Sequence, residues 1–412
     1  MSTAATDLKT ETTATKSVVL SSATQATATD VELNAQYRPI FEQIKAGAVE
    51  RENDRILPHE QVKWLTDAGF GALRVAKKVG GGGASLSQLF RLLTELAKAD
   101  SNVAHLFRGH FAFLEEVLIS REPHVQEFWA KEAVKGAVVA NASSEQGNKG
   151  WWDTRTATAE NDGEFLLNGT KYYSTGSNFS DWIAVSSHLP DVDKIAIAVR
   201  TDAPGVTVED DWNGFGQKLT GSGTTRFHDV AVDLDYSVRY LGKRPNFLLS
   251  YFQLFLLAVQ AGIAQAALND TVDFVRPRSR VFRNEDRPLP KDDPQVQQII
   301  GRLSGQVYAV ETTVADSADR LGKLIDKIAW GTAEDDDYYA VENAVFSAQS
   351  IIGDLILRIT SDFYEVGGAS ATFTQRALDR HWRNARTIHS HNPVYLREST
   401  LGARLLGVEE KE

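Results

Sequence analysis

The stretch Leu248-Leu249-Ser250-Tyr251-Phe252-Gln253-Leu254-Phe255-Leu256-Leu257-Ala258-Val259-Gln260-Ala261-Gly262-Ile263-Ala264-Gln265-Ala266-Ala267 is the longest apolar run in the chain. Ser250, Gln253, Gln260, Gly262 and Gln265 make it too polar for a membrane span and suit it to a helix buried inside a bundle. Helical periodicity continues around it, over Tyr251–Val275, Val296–Ile328, Tyr338–Tyr364 and Leu378 to about Thr387. Pro277 and the stretch from Pro288 to Pro294 separate the first two. Upstream, the texture changes near Val138. Asp162-Gly163 and Asn168-Gly169 read as hairpin turns between alternating segments, and Trp182–Ser187, Ile195–Val199 and Thr224–Val232 extend an antiparallel β unit. Before that, Leu33, Tyr37, Ile40, Phe41 and Ile44 recur at helical spacing, as do Leu86, Phe90, Leu93 and Leu96. Residues 2 to about 30 have no aromatic residue and no sustained apolar period, and are expected to form a flexible tail. With Asp7, Glu11 and Asp30 and no Arg, that tail is unlike a mitochondrial transit peptide. The expected fold is α+β and mainly α: a tail over residues 1–30, an N-terminal helical domain over 31–138, a central antiparallel barrel-like β domain over 139–240 and a C-terminal helical bundle over 241–412.

Of the 412 residues, 42% are hydrophobic and 24% charged, enough apolar material for a large core. The net charge of -11 argues against a polyanion-binding surface, so no nucleic-acid partner is expected, and no membrane segment. The absence of Cys removes disulfides, thiolate nucleophiles and thiolate-ligated metals, and suits a cytoplasmic protein.

Several local patterns carry no chemistry by themselves. Gly80 to Gly83 lack the Gly-Lys-Ser/Thr of a phosphate loop and read as a turn. Gly214-Phe215-Gly216 is an incomplete dinucleotide fingerprint, and no metalloprotease or serine-hydrolase motif is present. The acids Glu334 to Asp337 lack calcium-loop spacing, and no metal site is expected. Among nine histidines, His105 and His110 stand five apart on a helical stretch, about 140° around the axis, so one of them at most faces a pocket. His389 and His391 lie near the C-terminus ahead of Pro393. Asn141-Ala142-Ser143-Ser144-Glu145 suits either contact with a flat polar heterocycle or turn chemistry; Trp212 is either an aromatic wall or core; Arg276, Arg278 and Arg280 either grip phosphate or are solvated.

The domain order, with six ordered segments, resembles the acyl-CoA dehydrogenase fold, and within it the flavin-dependent monooxygenase branch of dibenzothiophene monooxygenases and sulfur-acquisition oxidoreductases. The segments are Ala99-Asp100-Ser101 with His105-Leu106-Phe107 and His110; Asn141 to Glu145; Asn168-Gly169-Thr170-Lys171; Asp210-Asp211-Trp212 with Gly216; Ser222-Gly223-Thr224; and Asp379 to Thr387 leading to His391-Asn392-Pro393. The resemblance implies reduced FMN delivered by a separate NAD(P)H-dependent flavin reductase, with O₂ and a small organosulfur or related heteroatom compound as substrates. A C4a-(hydro)peroxyflavin would transfer one oxygen atom. It further implies that His110 and His391 form the proton-managing pair, that the Thr175 hydroxyl helps stabilise the intermediate, and that Asn141, Ser143, Ser144 and Ser222 bind the flavin. Tyr173 and Trp212 would line its ring, Arg280 would reach the phosphate of a flavin in a neighbouring subunit, and the assembly would be a homotetramer. The alternative is an oxidase or dehydrogenase with permanently held FAD, and a third reading is a non-catalytic scaffold. A dehydrogenase needs a carboxylate base; Tyr251 to Ala267 carries no acid, and His391-Asn392-Pro393 stands where a Glu would serve. Two departures from the branch are His389, displaced by one position, and Ser370 in place of an Arg after the Gly367-Gly368 turn.

Overall fold

The computed structural model describes residues 21, 26–119, 122–147, 155–161, 164–189, 192–236, 245–281 and 288–408. Most of the expected tail, the Asp162-Gly163 turn and the join near residue 240 lie outside the described residues. Seven helices come first: α1 (Asp30–Ala46), α2 (Ala48–Asp54), α3 (His59–Asp67), α4 (Leu86–Ala99), α5 (Ser101–Leu106), α6 (Arg108–Ile119) and α7 (Pro123–Val134). Seven strands follow: β1 (Val139–Ala142), β2 (Ala157–Asn161), β3 (Glu164–Lys171), β4 (Trp182–Leu189), β5 (Val192–Arg200), β6 (Val206–Val208) and β7 (Thr225–Val232). The chain ends in α8 (Leu248–Val275), α9 (Pro294–Trp330), α10 (Asp335–Asp362), α11 (Tyr364–Gly367), α12 (Asp379–His389) and α13 (Val394–Leu405).

Capping explains the helix starts. Thr29 and Glu32 form a reciprocal capping box at α1, Ser85 and Gln88 another at α4, and Asp100 caps α5. The chain is already docked ahead of α1, where Thr27 donates its N–H to the Gly83 carbonyl at 2.9 Å. Gly80 to Gly83 are a close-packed turn: a Cβ on Gly81 would meet the Val75 carbonyl oxygen at 2.2 Å. Beneath that turn Arg74 binds the Glu115 carboxylate through two hydrogen bonds of 2.8 Å and donates to the Ala84 carbonyl, with both charges buried. Such a pair is held by geometry, because losing either partner strands a charge in the core.

The sheet runs β1-β4-β2-β3-β7-β6, with β5 pairing β4. Four pairings are antiparallel, but β1 lies parallel to β4, and β2 meets β4 in parallel at Ala157 and His188. The antiparallel expectation is corrected there: β1 enters directly from α7 and lies alongside β4 in the same direction. Asn168-Gly169 is a bulge inside β3 rather than a hairpin turn, since the register with β7 shifts between Leu167 and Gly169. The same dipeptide chemistry serves both purposes, and only the partner strand distinguishes them.

Helix α8 is the axis of the bundle and packs against α4, α9, α10 and α12. Its most apolar window is 78% buried within the protein, which accounts for a hydropathy high enough for a membrane-spanning helix. Gly262 permits the closest approach to α4: a Cβ there would lie 2.5 Å from both the Ala97 Cβ and the Thr94 carbonyl oxygen. Gly262→Val should therefore cost about 2 kcal/mol or more by overpacking; an unchanged denaturation midpoint would show that α4 and α8 can part without loss.

Candidate active site

The helical hydrogen-bond ladder breaks at Phe107, so α5 and α6 are separate and their side chains diverge. His110 turns into the main chain. Its Nε2–H donates to the Gly71 carbonyl at 2.8 Å, and its Nδ1 accepts the Val139 N–H at 3.2 Å. Both nitrogens are thus spent on fastening the Phe70–Ala72 turn to the start of β1, and burial lowers the pKa to about 4. The expected pairing of His110 with His391 is not formed.

His105, rather than His110, is the imidazole whose field reaches His391. Its Nδ1 lies 2.9 Å from Gln217 Oε1, while the Gln217 amide nitrogen donates to Ser101 Oγ at 3.0 Å, which orients the amide. The proton is therefore on Nδ1, and Nε2 presents a buried lone pair without a hydrogen-bond partner among the described residues. Burial first, and the Arg108 cation second, lower the His105 pKa to about 4. His391, exposed in the turn between α12 and α13, feels the same surroundings: desolvation by the packed protein atoms, then Arg108 and His105, hold it below the ordinary imidazole value.

Helix α8 brings these groups together. Arg108 Nε donates to the Phe252 carbonyl at 3.2 Å, and Asn392 Nδ2 donates to Gln253 Oε1 at 2.7 Å, so adjacent residues of α8 hold α6 and the His391 turn. Gln349 of α10 adds a bond to the Asn392 carbonyl. His389 packs instead on α10, where a Cβ on Gly353 would meet its ring at 2.2 Å.

Gln217 is the residue that sequence reading missed. It is buried in the left-handed region at φ 51°, its N–H bonds Asn384 of α12, and its carbonyl accepts both Trp212 Nε1–H and the Thr220 hydroxyl, each at 2.9 Å. From Thr220 the chain continues to Ser222 Oγ at 2.8 Å and on to Thr175 Oγ1 at 2.7 Å. Three oxygen–oxygen contacts share three hydroxyl protons, and the terminal carbonyl has none to give. Thr220 must therefore donate to Gln217, Ser222 to Thr220 and Thr175 to Ser222, which leaves Thr175 with only lone pairs to offer.

The other expected residues lie on the β domain and its loops. Asn141 on β1 has a buried Oδ1 without a partner among the described residues, and Gly109 of α6 leaves it room, since a Cβ there would lie 2.7 Å from that atom. Ser143 accepts the Ser186 hydroxyl at 3.1 Å, and Ser144 is exposed. Behind them Glu145 is clamped by Lys171 Nζ and Thr156 Oγ1, each at 2.7 Å. Tyr173, 52% exposed with φ 60°, meets the half-buried Trp212 edge-on at 6.0 Å. Beyond the end of α8, Arg280 is exposed beside Arg278, whose guanidinium donates to the Val366 and Gly367 carbonyls at 2.8 Å and shares the Phe274 ring with Arg376. No group of three or more metal-ligating side chains exists among the described residues.

The chain belongs to the acyl-CoA dehydrogenase family, whose N-terminal, middle and C-terminal domain models match residues 30–137, 132–230 and 254–395. Within it, the chain is 29% identical to the dibenzothiophene monooxygenase of Rhodococcus erythropolis over 92% of its own length and 94% of the relative's. It is also 29% identical to a probable FMNH₂-dependent monooxygenase, SfnC, of Pseudomonas putida, covering 89% of this chain and 92% of that one. Among solved structures it resembles FMN-bound TdsC from Paenibacillus sp. A11-2 at a TM-score of 0.84 and 26% identity, over 91% and 97% of the two chains. The methanesulfinate monooxygenase MsuC of Pseudomonas fluorescens matches at 0.83 and 25%, over 94% and 99%.

The buried histidines carry a pH signature. His105, His110 and His381 have folded-state pKa values lowered to about 4 from 6.5, so the unfolded chain binds more protons between those values. Their stabilisation is fully present above about pH 6.5 and is lost as pH falls towards 4. The unfolding midpoint should drop between pH 7 and pH 5, and His110→Phe should flatten that slope; an unaltered slope in the variant would contradict a neutral, structural His110.

Proposed function

We propose that this chain is the oxygenase of a two-component flavin system: it takes FMN reduced by a separate NAD(P)H-dependent reductase, binds O₂, and oxygenates a small organosulfur or related heteroatom compound. One observation carries the reading: a neutral His105 with a free, buried Nε2 beside His391, where a dehydrogenase would need a carboxylate. In the apolar helix over residues 251–267 there is no acid. The nearest one downstream, Asp270, is tied to Arg380 and His381 at 2.7 and 2.8 Å.

The residues present suit the cofactor. Orphaned Asn141 Oδ1, with Ser143 and Ser144, offers hydrogen bonds to a polar heterocycle; Tyr173 and Trp212 offer aromatic flanks; and Arg280, with Arg278 and Arg376, forms a cationic group suited to phosphate. Reduced flavin, when bound, supplies the electrons that activate O₂. His105 stays unprotonated at neutral pH and serves as a hydrogen-bond and proton acceptor at Nε2, His391 exchanges protons at the solvent side, and the buried walls keep water away. Thr175, holding only lone pairs, can accept from the N5–H that reduced flavin carries and oxidised flavin lacks. A homotetramer is part of the proposal: α13 buries none of its residues and leaves Tyr395, Leu396 and Leu405 exposed, as an assembly face would.

The test is rapid mixing of the reduced FMN complex with oxygen. An absorbing transient should precede oxidised flavin, and His105→Ala should shorten its life while FMN affinity holds; direct return to oxidised flavin in the unmutated protein would overturn the reading. A second measurement addresses the hydroxyl chain. Thr220→Val frees Ser222 and Thr175 to reverse direction, so the preference for reduced over oxidised FMN should fall by about fivefold. An equal ratio of the two affinities in variant and parent would refute the assigned direction.

A further inference from the structure

Arg108 is a cation that no carboxylate among the described residues compensates. The residue is 8% exposed, and burial lowers its pKa to about 10. Its Nε is taken by the Phe252 carbonyl, and its guanidinium lies 4.6 Å from the centroid of the Phe252 ring. The two Nη nitrogens make no hydrogen bond or ion pair among the described residues, although the other most buried arginines, Arg51 and Arg74, each grip a carboxylate. A buried charge without a counter-ion costs several kcal/mol, as a rough scale, unless a ligand supplies one. The groups that share its field, His105 and His391, are imidazoles with lowered pKa values and provide no negative charge.

We infer that Arg108 is the substrate-recognition residue of this site, and that the organosulfur substrate carries an anionic oxyacid group, a sulfinate, sulfonate or carboxylate, bound by the free Nη edge. This deepens the proposed function and rests on its placement of the chemistry at His105 and His391. The geometry selects this class. Phe252 covers one face of the guanidinium and its carbonyl occupies Nε, so the remaining donors are the two Nη groups, a fork matched to two oxygens of one acid group. The same cation disfavours a purely apolar thioether, whose binding would bury Arg108 further without pairing it.

The experiment compares methanesulfonate with dimethyl sulfone, which are similar in size and differ in charge, by calorimetric titration of the full-length protein with and without FMN. Methanesulfonate should bind the parent more tightly than the sulfone. Arg108→Met should weaken the anion roughly tenfold or more and leave the sulfone unaffected, while Arg108→Lys should retain part of the preference. A purely structural arginine would lower both affinities together, and that result, or a parent that does not prefer the anion, overturns the inference. So does an Arg108→Met variant that loses FMN affinity with the anion preference intact, which would assign the cation to the flavin. If the parent binds the anion through Arg108 but never binds FMN, the proposed function fails while the anion site stands.

Discussion

Enclosure of α8 on all sides is the constraint from which the site follows. A helix with α4, α9, α10 and α12 packed around it has no freedom to rotate or slide, because interiors are close-packed and small shifts cost contact energy. Its first turns therefore form a rigid platform. Phe252 holds Arg108 from the N-terminal helices and Gln253 holds Asn392 from the C-terminal turn, so residues nearly three hundred positions apart share one field. Gly262, by letting α4 approach, keeps the platform at the depth where α5 and α6 can reach it.

A second level of organisation is polar. Gln217 satisfies nearly all of its own hydrogen-bonding groups by tying together α5, α12, Trp212 and the hydroxyl series that ends at Thr175. Buried polar networks of this kind are stable when every member is paired, and what is left unpaired then becomes informative. Among the described residues, the unpaired atoms at the candidate site include His105 Nε2, Asn141 Oδ1 and the Nη groups of Arg108. His105 Nε2 and the Arg108 Nη groups are held in place by bonds on their other side, through His105 Nδ1 and Arg108 Nε, which is how a preorganised binding surface differs from a packing defect.

Much of this was legible in the sequence. The period of 3.6 around α8 and on either side, the alternation from residue 154 to 232 and the return of helices locate the three layers, and α9, α10 and α12 fall within a few residues of their expected spans. The angular argument that His105 and His110 cannot face the same pocket also agrees with the structure. Choosing between them was beyond a linear reading, since the choice depends on Gly71 and Val139 capturing the ring of His110. Gln217 had no signal at all: its partners outside its own loop sit on α5 and α12, and neither helix is near it in sequence. Helix α13 and strand β6 were missed because one buries nothing within the chain and the other is only three residues long.

The sequence by itself determined the layer order, the absence of thiol chemistry and of a carboxylate over residues 251–267 of the central helix, and the family, because periodicity, composition and ordered motifs are local properties. Only the tertiary structure decided which histidine offers a lone pair, which way the Thr175 hydroxyl points, and that Arg108 stands without a counter-ion among the described residues. Those are properties of pairs of atoms brought together by packing, and a hydrogen bond or an ion pair exists only when both partners are in place.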